Sequence, residues 1–148
     1  DEGFLHMESD TETDNKNHPM LDDEGWSSAD GKSQWIGPEH MSKSLMAATS
    51  SVRSVAFGRD FEDYAIVYEG GDSSYSGVPT KVANILRSHK KATLLSIALG
   101  SDGEFWIQMS HRDWWNGGQE FLDVIKKLGS RVKFVDFGTD NTYFIRYT

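Results

Sequence analysis

Trp35, Tyr75 and Trp115 recur at one constant interval, and a glycine follows each of them two positions later, at Gly37, Gly77 and Gly117. A spacing kept over three copies restricts the chain to architectures in which one structural unit recurs, because a unit that cannot bury its apolar face alone buries it against its neighbour. Beyond each glycine runs a short helical pattern: Met41, Leu45 and Met46 in the first copy, Val82, Ile85 and Leu86 in the second, Phe121, Leu122, Val124, Ile125 and Leu128 in the third. Each helix is followed by a strand-like run ending in a glycine, at Gly58, Gly100 and Gly138, and by a second run opening on an aromatic, at Tyr64, Phe105 and Tyr143.

These runs predict hairpin halves near residues 52–68, 94–109 and 132–147 and helix halves near 37–46, 79–88 and 118–128. A brief third strand is expected before two of the aromatic-glycine pairs, at Ser73-Ser74-Tyr75 and Arg112-Asp113-Trp114-Trp115. The expected fold class is α+β: three pseudo-symmetric repeats of about 40 residues, each an antiparallel hairpin plus a short helix. The sequence opens on an aromatic-glycine-helix half and closes on a hairpin half, so the expected arrangement is closed by pairing of the terminal halves, which would remove exposed sheet edges.

Local chemistry agrees with this assignment. Gly58-Arg59-Asp60, Gly100-Ser101-Asp102-Gly103 and Gly138-Thr139-Asp140-Asn141 have hairpin-turn composition, in which Gly, Asp and Asn tolerate positive φ. Pro79 and Pro38 are expected at first helical positions, where a missing N–H costs nothing. Gly129, after Lys126, Lys127 and Leu128, reads as a helix C-cap with the lysines at the negative end of the dipole.

Charge separates the chain into two parts. Residues 1–31 hold ten acidic side chains and one basic one, Lys16, with little periodic apolar content, and are expected to be a disordered acidic tail ahead of a single repeat domain, 32–148. The remaining residues carry 13 acidic and 14 basic side chains. A near-neutral domain with a negative arm is a poor electrostatic match for nucleic acid or an anionic membrane, so neither is expected as a partner. Without cysteine, disulfides and thiolate chemistry are excluded. No apolar run approaches the length of a membrane span and no leader pattern opens the sequence, so an intracellular, cytoplasmic protein is expected.

The pattern aromatic-x-Gly, Pro and a short helix, then apolar-Gly-x-Asp and an aromatic-Ile strand, covers about residues 30–148. It resembles repeats of largely uncharacterised domains in eukaryotic microbes, similar in appearance to propeller-type repeats such as tectonin and WD repeats. It departs from WD repeats in lacking a Trp-Asp ending and in placing a helix in every unit. The resemblance implies a binding or scaffolding module and carries over no catalytic residue.

No enzyme signature is present: there is no Gly-x-Ser-x-Gly, no phosphate-cradling Gly-Lys-Ser/Thr loop, no dinucleotide fingerprint and no His-Glu-x-x-His. A non-enzymatic protein without cofactor or metal is therefore expected. His111 with Asp113 has the composition of an acid–base pair, and Asp60, Glu62 and Asp63 that of a hard-cation site, but a solvated turn and a polar hairpin loop are the preferred readings of the two. The ligand-binding candidates are Trp114, Trp35, Tyr75, Trp115 and His111. Trp35, Tyr75 and Trp115 are either core anchors, the preferred reading, or three similar stacking platforms. Trp114 and Trp115, being adjacent on a strand, must face opposite sides, and Trp114 is expected to be the exposed one. The expected function is a non-catalytic module mediating protein interaction or self-association, with lectin-like carbohydrate binding through the repeated aromatics as the alternative.

Overall fold

The structure, a computed structural model, describes residues 26–27, for the backbone alone, and 32–148. It is a mixed α+β protein in which every sheet among the described residues is small and antiparallel. The chain divides into two compact units at Thr49/Ser50.

In the first unit, strand β1 (Trp26–Ser27) pairs with β2 (Gln34–Trp35), Trp26 lying opposite Trp35, and helix α1 (Glu39–Ala47) follows. β1 falls inside the stretch expected to be a disordered tail, so at these two residues a ladder partner supplied what composition alone did not signal. The rest of 1–31 lies outside the described residues. Pro38 is the N-cap of α1, in extended conformation, one position earlier than expected, and Pro79 does the same for the next helix. The Trp35 indole N–H donates to the buried Ser42 Oγ at 3.0 Å, which ties strand to helix. Met41 lies against Gly37, where a Cβ would collide with its thioether.

The second unit holds three hairpins. Strands β3 (Val52–Phe57), β4 (Tyr64–Tyr68) and β5 (Ser73–Ser76) form one three-stranded sheet. After helix α2 (Thr80–Ser88), strands β6 (Leu94–Leu99), β7 (Phe105–Met109) and β8 (Asp113–Asn116) form another. After helix α3 (Gln119–Leu128) and a 3-10 turn, β9 (Val132–Phe137) and β10 (Tyr143–Tyr147) form a two-stranded ladder.

The three hairpins share details that follow from their sequences. The glycine N–H donates across the turn to the carbonyl of the residue before the second strand: Gly58 to Asp63, Gly100 to Glu104, Gly138 to Thr142. Each ladder carries a bulge one residue into its first strand, at Arg53, Leu95 and Lys133. An extra residue there bends the strand and increases its local twist.

The period-2 alternation of β6–β7–β8 sends apolar side chains to both faces, which makes this sheet the centre of the unit. One face packs with α2 and the first sheet, bringing Leu99 and Ile107 against Val82, Leu86, Ala65 and Val67. The opposite face packs with α3 and the last hairpin, bringing Ala98 and Trp106 against Phe121, Ile125, Val132 and Val135. Short amphipathic helices of nine and ten residues are marginal alone and are held by this burial.

Closure through the terminal halves, expected above, is not formed: among the described residues the ladders are separate and none is closed. Gln34–Trp35 takes Trp26–Ser27 as its partner, and the ladder partner of β10 is β9. Among the described residues no helix is long and apolar enough to cross a membrane.

Candidate interaction surface

The last hairpin presents two faces of opposite character. Val132, Val135, Phe137, Tyr143 and Ile145 turn inward to α3, with Phe137 and Tyr143 meeting the Phe121 ring edge-on at 4.9 and 5.4 Å. The alternate residues Phe134, Phe144 and Arg146 face solvent. Phe144 is 58 % exposed and Phe134 38 %; their rings meet edge to face at 6.2 Å, with the Arg146 guanidinium 5.8 Å from the Phe134 ring centre. At the end of β10, Tyr147 is also exposed beneath the Arg131 guanidinium, which donates to the Thr148 carbonyl at 2.8 Å.

Exposure here contrasts with the other hairpins. Counting from the strand openers Tyr64, Phe105 and Tyr143, Phe144 holds the position of Ala65 and Trp106, both of which are 0 % exposed. Ala65 lies opposite Tyr75 in β5 and Trp106 opposite Trp115 in β8, whereas β10 carries no strand on that edge among the described residues. Two exposed phenylalanines with a stacked arginine, beside a strand edge that has no ladder partner among the described residues, combine the aromatic and arginine side chains that protein interfaces enrich with a backbone edge able to take a further strand.

The residues singled out from sequence sit elsewhere and do not converge. Tyr75 is half-buried against the first core cluster, Trp115 against the second, and Trp35 is half-buried in the first unit. Trp114 is not the exposed member of its pair: it too is half-buried and packs on the first cluster. Adjacent strand residues do face opposite sides here, but both sides of this sheet are covered, so neither indole is free.

Trp114 is the hub of a second cluster. The α2–β6 and β7–β8 turns are joined by a hydrogen bond from the Ser110 N–H to the Thr93 carbonyl, 2.9 Å. This brings His89 and His111 to 5.5 Å of each other and to 4.6 and 5.7 Å of Trp114, with Arg112 stacked 4.5 Å above the indole. His89 also contacts the Ile85 carbonyl at 3.0 Å. The Trp114 ring is thus already occupied by protein groups and serves as a clamp between turns, to which His111 contributes a ring contact. Burial raises the Asp113 carboxyl above its ordinary value, against a smaller opposing pull from Lys133.

Asp63 accepts from the Asp60 N–H at 2.9 Å, an ordinary turn bond, and no group of three or more metal-capable side chains occurs among the described residues. Phe134 and Phe144 were not among the sequence candidates; the signal for them was aromatic and charged residues alternating on one strand face, Phe134 with Asp136 and Phe144 with Arg146. Compared with known proteins, the chain matches no family model, no curated protein and no solved structure.

Proposed function

We propose that residues 32–148 comprise three related units and act as a non-catalytic scaffold that binds protein through the outer face and open edge of the last hairpin. The observation that carries this reading is Phe144, 58 % exposed at a position whose counterparts Ala65 and Trp106 are fully covered. Shared turn bonds, shared bulges and the third strand on two of the three hairpins support the repeat reading. A resemblance to tectonin and WD-type repeats, which implies binding modules, points the same way. The interacting group is the aromatic pair Phe134–Phe144 with Arg146, a combination suited to an apolar segment that adds a strand to β10.

Affinity capture with the full chain and with the Phe134→Ser/Phe144→Ser variant tests the proposal. Proteins retained by the wild type should be lost by the variant, with the two chains melting at the same temperature when dilute enough to be monomeric. An identical retained set would contradict it.

A further inference from the structure

The second unit shows twice how a hairpin of this kind is covered. On the first sheet, β5 pairs along the edge of β4, the chain turns at Gly77, and α2 lies over the face carrying Ala65 and Val67. On the second, β8 pairs along β7, the chain turns at Gly117, and α3 lies over Ala98 and Trp106. In both registers an aromatic of the covering strand stands opposite the same central position: Tyr75 opposite Ala65, Trp115 opposite Trp106.

One further segment has this build. Gln34–Trp35 is a short strand, Gly37-Pro38 makes the turn, and α1 follows with Met41 and Leu45 where α2 has Val82 and Leu86 and α3 has Phe121 and Ile125. β1 occupies one edge of β2, and the other edge has no ladder partner among the described residues. Resting on the protein-binding reading above, we infer that the occupant of the last hairpin is a second copy of this chain, whose Gln34–Trp35 and α1 lie on β10 with Trp35 opposite Phe144 and Gln34 opposite Ile145.

The register of this docking is the one seen on the other two hairpins. Antiparallel pairing sets Ser33 opposite Arg146 and Lys32 opposite Tyr147, beyond which the β1–β2 ladder turns the chain back along the far edge of β2. A reciprocal pair of such contacts closes with two-fold symmetry.

Sedimentation velocity on the full chain at micromolar concentration is the test. The wild type should sediment as a dimer, Phe144→Asp and Leu45→Asp each as a monomer, and their equimolar mixture as a dimer, because the mixture restores one of the two contacts. Leu45→Ala, which preserves helix propensity, serves if Leu45→Asp loses helical signal, and should raise the dimer Kd by about tenfold. A monomeric wild type, a dimeric Phe144→Asp or a mixture that stays monomeric overturns the inference. A monomeric wild type that still loses captured proteins on Phe134→Ser/Phe144→Ser removes self-association and leaves binding to other proteins standing.

Discussion

Trp106 and Trp115 lie directly opposite each other across β7 and β8, and Trp106 is completely enclosed between that pairing and α3. Its indole N–H finds no acceptor among the described residues. A side chain of this size at the junction of sheet, helix and last hairpin is a packing element whose polar atom is left over.

Trp106→Ala should therefore destabilise the second unit by about 3–5 kcal/mol through lost burial and the cavity left behind. Trp106→Phe removes the unpartnered donor together with some volume and should cost well under half as much. Urea unfolding of both variants reads the difference.

Phe144→Asp should change stability by about 0.5–1 kcal/mol at most, since it gives up one exposed edge-to-face ring contact and little buried area. Thermal unfolding of both chains, dilute enough to be monomeric, checks this. A large loss would mean that Phe144 is a core residue and that the outer face of the hairpin is not free.

Glycines separate strain from crowding. Gly77 adopts φ +68° with the Asp63 side chain and backbone directly where a Cβ would stand, whereas Gly103 adopts φ +85° with open space around it. Gly103→Ala should cost about 1–2 kcal/mol of left-handed backbone strain, and Gly77→Ala distinctly more, because Asp63 and its turn must also move. Melting temperatures of the two variants should fall in that order.

Asp113 sets a pH dependence. Burial holds its carboxyl above the unfolded value, so its contribution to stability is fully present below the unfolded-state pKa and is lost as pH rises through the folded one. Asp113→Asn should melt at the same or a higher temperature than the wild type at neutral pH, with the gap closing below about pH 4. A variant that is less stable at neutral pH would show that the attraction to Lys133 outweighs the cost of burial.

The elements were legible because their signals are local. Glycine turns and period-2 runs marked the three hairpins, the aromatic-glycine pairs marked β5 and β8, and Gly129 marked the end of α3. What escaped was decided by contacts distant in sequence. Trp114 lost its expected exposure because His89, back at the end of α2, is carried onto it by the bond between two turns. Pairing of Trp26 with Trp35 left no trace in a segment whose composition is dominated by acids. Phe134 and Phe144 were not singled out, because the face they share follows from the β9–β10 register and whether anything covers it depends on partners that strand alternation does not encode.

Amide hydrogen exchange along β10 tests the central claim most directly. In dilute protein, the amides of Tyr143–Tyr147 that point away from β9 should exchange much faster than their counterparts in β4 and β7, which are paired on both edges, and they should become protected when the bound protein is present. Protection of those amides in dilute protein, or no slowing on binding, would contradict the assignment of this edge as the interaction surface.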